Sequence, residues 1–427
     1  MSTLRTDPPP AIAASPVASR LRWVMVGFAF SATVINYLDR SVLSVVAASP
    51  GFKASIHLTD KAYGYIGAAF MLAYAISNGL SGQFIDRVGT RIGYACCMVW
   101  WSMASILHAL VRGPWSLGGV QFLLGAGEAG NWPAATKLVS EWFPVHERAL
   151  ASGVFNGGAS IGSVISPLII VWAVTTWGWQ SAFVSMGVLG LFWVVVWWLS
   201  YTVPKNIAAE AQRPLVPAMT LLRTRFVAFF ALSKIFMDPV WYFFLFWFPK
   251  YLADVHRFSL KEIGWKAWIP YFTAVLGNLA GGVLTGRLIR GGMAVSAARK
   301  ISTSVFALLM VSTIPAILTS NSWLAIALIS LTTFGYTGYT ANTLAFPADV
   351  FPKQAVACVW GLASMGSGFG GMIFMALSGA LIGRFGYTPV FIGYGILPLL
   401  ALACILFLIG PLHADARFQQ PGTAPSP

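Results

Sequence analysis

Five ionisable side chains fall inside apolar runs of this chain. Asp39 and Arg40 lie in V-I-N-Y-L-D-R-S-V-L-S-V-V (34–46), Glu128 in G-A-G-E-A-G-N-W-P-A (125–134), and Lys234 and Asp238 four residues apart at the head of D-P-V-W-Y-F-F-L-F-W-F-P-K-Y-L (238–252). A charge at the centre of a membrane helix costs about 2.5 to 3.5 kcal/mol on insertion scales, so charges kept there mark a site or an ion pair. Neighbouring residues on a helix point about 100° apart, so Asp39 and Arg40 do not pair as i,i+4 residues would. Each needs a partner elsewhere. Thr33, Asn36, Tyr37, Arg40, Ser41 and Ser44 recur with helical period and predict a polar stripe along a wet cavity. Arg40 offers that cavity a planar donor fork suited to a carboxylate. The other reading is a purely structural charge cluster between helices.

Glu128 has Asn131 and Trp132 at i+3 and i+4, with Gln121 seven residues earlier on the same stripe. Low dielectric disfavours a carboxylate's charged form, which makes Glu128 a candidate proton carrier or a permanently protonated packing group. Lys234 and Asp238 are spaced to neutralise each other, and Trp241 and Tyr242 follow on the same side. They form either a self-contained pair ahead of Pro239 or a second-half contribution to a binding site. Tyr74, Asn156, Ser160, Tyr336, Tyr339, Thr340 and Asn342 carry hydroxyls and amides that can read sugar hydroxyls or join helices. Together Asp39, Glu128 and Asp238 outnumber Arg40 and Lys234 by one negative charge. One proton neutralises the set, a bound organic monoanion restores the deficit, and a second proton cancels it. Proton-driven symport is the expectation.

The elements that hold these residues follow from composition. Of 427 residues 57% are hydrophobic and only 9% charged, against the usual quarter in soluble domains, which predicts an all-α polytopic membrane protein. Twelve transmembrane segments are expected, near 23–46, 62–85, 92–111, 117–140, 149–172, 180–201, 226–250, 264–285, 300–319, 323–347, 355–379 and 388–411. Residues 1–22 and 412–427 read as disordered cytoplasmic tails, 23–201 and 226–411 as two six-helix bundles, and 202–225 as the linker. The halves repeat. An offset of 200 superposes Gly64, Asn78 and Gly82 on Gly264, Asn278 and Gly282, and an offset of 208 superposes E-W-F-P (141–144) on D-V-F-P (349–352). Duplicated six-span units of this kind place a substrate site at the midplane between them. With the N-terminus inside, seventeen Lys and Arg face the cytoplasm and eight the outside, so both termini are expected in the cytoplasm.

The net charge of +14 is scattered over short loops and forms no nucleic-acid stripe. Cys96, Cys97, Cys358 and Cys404 lack metal-ligand spacing and read as packing residues, and no metal or cofactor is expected. H-E-x-x-H is absent and the histidines (57, 108, 146, 256, 413) are dispersed, so catalysis is not expected.

After the second segment comes G-Q-F-I-D-R-V-G-T-R, with Gly82, Asp86, Arg87, Gly89 and Arg91 suited to a tight gating turn. It resembles the signature loop G-x-x-x-D-R-x-G-x-R of the major facilitator superfamily. The second copy, G-V-L-T-G-R-L-I-R-G (282–291), has Gly286 where an acid is often found. I-N-Y-L-D-R, G-A-G-E-A-G-N-W-P-A, E-W-F-P-V-H-E-R-A and D-P-V-W-Y-F-F-L-F-W-F-P-K-Y-L resemble the anion:cation symporter branch, nearest to bacterial hexuronate and other sugar-acid transporters. The resemblance implies two pseudo-symmetric six-helix bundles in a bacterial inner membrane, working as a monomer on a small organic anion and protons. It implies Arg40 as the ligand of the substrate's carboxylate and Asp39 in proton coupling. Tyr37, Asn36, Tyr74, Trp132, Trp241, Tyr336 and Asn342 join the expected substrate site. Many relatives have arginine where this chain has Gln121, so a coupling scheme that uses that arginine does not transfer whole. Aldonate or dicarboxylate transport, exchange, and a non-transporting sensor are the alternatives.

Overall fold

In hydrocarbon a chain must satisfy its own backbone polar groups, and long apolar runs do so by closing into helices. The computed structural model describes residues 16–143, 148–201, 218–351, 353–410 and 412, and regular structure among them is helical. The N-terminal half holds α1 (Pro16–Val46), α2 (Pro50–Ile56), α3 (Asp60–Val88), α4 (Thr90–Leu107), α5 (Pro114–Glu128), α6 (Asn131–Trp142), α7 (Arg148–Trp177) and α8 (Trp179–Ser200). After α9 (Ala218–Leu222) come α10 (Arg225–Asp254), α11 (Leu260–Lys266), α12 (Ile269–Arg290), α13 (Val295–Leu309) and α14 (Thr313–Leu318). The chain continues through α15 (Ser322–Thr343), α16 (Phe346–Val350), α17 (Lys353–Phe385) and α18 (Thr388–Ala403).

Ten helical stretches among the described residues are long and apolar enough to cross a bilayer. The second and fourth expected segments are not among them. α3 is diluted by glycines, tyrosines, serines and Asn78, and the fourth segment is divided at Ala129–Gly130 into α5 and α6, each short by itself. Polarity is distributed inside out. Trp115 is 95% and Leu199 81% exposed, whereas Arg40 and Glu128 are buried. A surface of large apolar side chains around buried charges suits lipid as solvent.

Helix packing repeats between the halves. α1 runs along α7 and α3 along α5, as α10 runs along α17 and α12 along α15; across the seam, α3–α17 is answered by α7–α12. At one end the halves are sealed. There a Cβ on Gly64 would meet the Gly379 backbone, so only glycines allow α3 and α17 this close. Tyr63 donates its hydroxyl to the Phe246 carbonyl, and Asp60 and Lys250 form an ion pair between the halves. Toward the other end, a Cβ on Gly82, Gly153, Gly282 or Gly361 would meet nothing within 4 Å among the described residues.

Some boundaries differ from expectation. α1 begins at Pro16, seven residues before the apolar run, because proline suits a first helical turn whose N–H groups need no helical acceptor. The expected linker contains α9, while its residues 202–217 lie outside the described residues, as do 1–15 and 413–427. In the signature loop Gly89 joins α3 to α4 with φ +83°, and Gly292 has φ +88° between α12 and α13. The second half therefore keeps the turn although Gly286 replaces the acid. A left-handed conformation costs a non-glycine residue about 1–2 kcal/mol. Gly89→Ala is accordingly expected to lower stability by about that amount, read as a lower thermal unfolding midpoint in detergent.

Candidate functional site

Two buried ion pairs form among the membrane charges, Arg40 with Glu128 between α1 and α5 and Lys234 with Asp238 on α10. Arg40 on α1 donates through Nε and Nη2 to Oε2 of Glu128, at 3.0 and 2.8 Å. Its Nη2 also lies 3.4 Å from Oδ1 of Asn36, one turn earlier. The guanidinium is walled by aromatic rings: Tyr74 at 4.8 Å, Tyr37 at 5.1 Å and Phe70 at 5.2 Å from ring centroid to Cζ. Such faces favour a cation, which offsets part of its desolvation. Glu128 ends α5 where the helix breaks, and glycines around it let neighbours close in; a Cβ on Gly125 would overlap the Phe70 backbone. Oε1 of Glu128 and Nδ2 of Asn36 are buried without a hydrogen-bond partner.

Asp39 points away from this pair. Its Oδ1 lies 2.6 Å from the Ser105 hydroxyl on α4, which lies 3.0 Å from the Phe183 carbonyl, and its Oδ2 has no partner. One hydroxyl hydrogen cannot serve both oxygens. If Ser105 donates to the carbonyl, which can only accept, the hydrogen in the Asp39 contact belongs to Asp39 itself.

In the second half Lys234 and Asp238 pair at 2.8 Å on α10. The Lys234 ammonium lies over the Trp360 ring at 4.6 Å, and Tyr336 donates to Asp238 at 3.3 Å. Trp241 stacks on Tyr336 at 5.2 Å, and the hydroxyls of Tyr242 and Ser367 meet at 3.1 Å. The helices that carry these pairs, α1 and α10, meet across the seam. The missing Cβ of Gly371 faces both Met71 and Tyr242, which brings α3, α10 and α17 to one place.

Of the expected residues, Arg40, Asn36, Tyr37, Tyr74 and Glu128 meet on one side, and Lys234, Asp238, Trp241 and Tyr336 on the other. Others are placed differently. Ser41 and Ser44 bond to carbonyls of their own helix and Thr33 to Ala29, so the α1 stripe is in large part helix packing and not a wet wall. Trp132 packs edge-on against Phe155 at 5.7 Å, toward α7. Asn342 is held among Thr285, Ser302 and Gly338, a junction of α12, α13 and α15, and is spent on packing. Asn131 bridges Thr33 and Tyr94. In the signature loop Arg87 is exposed, Arg91 donates to the Trp198 carbonyl at 2.7 Å, and the Asp86 side chain lies outside the described residues.

Sequence reading passed over several partners. His108, counted there among dispersed histidines, bonds Gln121 at 2.7 Å, bonds the Ala104 carbonyl at 2.8 Å and stacks on Phe183. Ser105, Phe70 and Trp360 had no periodic signal, since their partners come from other helices. The pair Lys250 and Asp254 was visible as an i,i+4 spacing at the end of the seventh segment.

Comparison with known proteins agrees with this architecture. The family model described as Major Facilitator Superfamily matches residues 29–315 and 292–426. The chain is 32% identical over 426 residues to the hexuronate transporter of Escherichia coli (strain K12), covering 95% of this chain and 98% of that protein. It is 34% identical over 312 residues to the galacturonate transporter of Dickeya chrysanthemi, covering 68% and 89%. Among solved structures, a bacterial homolog to the human lysosomal transporter Spinster, inward-facing and occupied, superposes with TM-score 0.75 at 18% identity over 92% of this chain and 97% of that one. That likeness concerns the fold.

Proposed function

The chain belongs to the major facilitator superfamily and is a multi-pass membrane transporter, not an enzyme; from that premise we propose that it takes up a sugar monoacid, a hexuronate such as galacturonate or glucuronate, together with protons. Relatives named for hexuronate, galacturonate and D-galactonate support an acidic sugar as cargo. The observation that carries the reading is the buried Arg40–Glu128 pair. One guanidinium faces one protein carboxylate, and the substrate brings a second. Both cannot be charged beside a single cation in low dielectric. A proton on Glu128 frees the guanidinium for the substrate's carboxylate, and the loaded site stays neutral. Trp241 and Tyr336 supply a flat aromatic wall, and Tyr242 and Ser367 supply hydroxyls for the sugar.

Asp39 is the odd carboxyl. With Glu128 on Arg40 and Asp238 on Lys234, it has a serine hydroxyl and no cation among the described residues. A buried acid in that position holds its proton, and we assign it the second proton site. Taking the termini as cytoplasmic, the sealed end is the outer face. The cycle opens the Asp60–Lys250 contact to admit the acid from outside.

Purified protein in liposomes, offered labelled hexuronates, aldonates and dicarboxylates with and without an inward proton gradient, tests the reading. Monoacid accumulation that follows the gradient and is lost in Glu128→Gln supports it. Accumulation indifferent to the gradient refutes proton coupling, and preference for a dicarboxylate refutes the one-cation site.

A further inference from the structure

The sealed end carries a cavity lined by none of the residues of the two buried ion pairs. Its volume is about 960 Å³, and its lining includes Lys53, Lys61, Lys250, Arg257 and Arg384 against only Asp60 and Asp254. Four of these charges neutralise one another at its floor. Lys53 pairs with Asp254 at 2.6 Å, and Lys250 pairs with both Asp254 and Asp60. Tyr387 adds a hydrogen bond to Asp254 at 2.8 Å. These contacts join α2 and α3 of the first half to α10 of the second and to the turn between α17 and α18. Lys61, Arg257 and Arg384 have no carboxylate partner among the described residues. Lys61 and Arg384 instead lie over the rings of Tyr65 and Phe385 at 5.9 and 5.2 Å. The rim is therefore basic above a neutral floor.

We propose that this vestibule is an outer antechamber that concentrates small organic carboxylates over the closed gate, so that the substrate is held beside Lys250 and Lys53 before they separate from their aspartates. It rests on the outward orientation of the sealed end adopted above. A concave surface of one sign focuses field and raises local counter-ion concentration. Three charges about 10 Å from a monoanion in water contribute an enrichment on the order of tenfold, and about 1 M salt, with a Debye length near 3 Å, removes it. The floor ties the antechamber to the gate. A carboxylate arriving at Lys250 competes with Asp60, the partner from the opposite half, so the arriving anion favours the separation that admits it.

The test reads the vestibule's field without relying on transport. A reporter cysteine at Leu58→Cys, or separately Ala380→Cys, both in the lining, is labelled from outside sealed vesicles. An anionic sulfonatoethyl and a cationic trimethylammonium-ethyl thiosulfonate reagent are compared, each normalised to a free thiol. The expected result is roughly tenfold preference for the anionic reagent at low salt, near unity in about 1 M salt and in Lys61→Gln/Arg257→Gln/Arg384→Gln. In uptake, the same triple substitution is expected to raise half-saturation several-fold at low salt and flatten its salt dependence. Labelling without charge preference, preference unchanged in the triple variant, or labelling only from the inner side overturns the proposal. Charge preference in a protein that moves no acid upholds the vestibule and overturns the transport reading instead.

Discussion

Arg40→Ala should abolish saturable uptake in the concentration range where the parent protein saturates. Removing one partner of a buried, hydrogen-bonded charge pair costs about 2–5 kcal/mol, and each 1.4 kcal/mol is tenfold in affinity, so half-saturation is expected to rise about 30-fold to several thousand-fold. The same change leaves Glu128 buried without its cation, which by itself destabilises by about 3–5 kcal/mol. The two effects are separable. Arg40→Ala combined with Glu128→Gln removes the uncompensated charge and should restore most of the thermal stability while restoring no uptake. Arg40→Lys keeps the charge but loses the two-nitrogen geometry made to Oε2, and is expected to retain stability and lose most affinity. Uptake and unfolding measured on the same preparations decide. An Arg40→Ala protein with unchanged half-saturation removes the guanidinium from the binding site.

Asp39→Asn should split transport from proton drive. Asparagine keeps the shape of a protonated aspartate and can donate to the Ser105 hydroxyl, so exchange of labelled for unlabelled acid at equal pH is expected to fall by no more than a few-fold. Accumulation driven by a proton gradient should fall more than exchange does, because the proton on Glu128 is then the only one left to cross with the acid. Stability supplies a second check. If Asp39 is neutral where it lies against Ser105 and Phe183, replacing it costs little, within about 1 kcal/mol of the stability spread ordinary for near-isosteric changes. A loss of several kcal/mol would mean that the carboxylate is ionised and held by a partner.

How much of this was readable in the sequence depended on distance along the chain. Charges at helical spacing, as for Lys234 and Asp238, declare their pairing because a single helix brings them together. The broad architecture was legible for a similar reason, since apolar length and internal duplication are local signals. The Arg40–Glu128 contact spans 88 positions between two helices and was legible only as a need for partners. The stripe on α1 misled where hydroxyls turn back onto their own backbone, which periodicity cannot distinguish from facing a cavity. Trp132 shows the same limit, since spacing along α5 and α6 does not reveal that its ring meets Phe155 of α7. His108 was hidden behind its number, one histidine at a helix end whose partner Gln121 lies on the next helix. Gln121 binds a ring held against Phe183.

The central claim is that the acid and protons cross together through one nearly neutral site, and the most direct measurement follows both at once. Liposomes containing the protein, lightly buffered and with no imposed gradient, are given external galacturonate while external pH and labelled uptake are recorded. The account predicts external alkalinisation that begins with uptake, saturates with it, is diminished in Asp39→Asn and is absent in Glu128→Gln. Uptake that proceeds at constant external pH would contradict it.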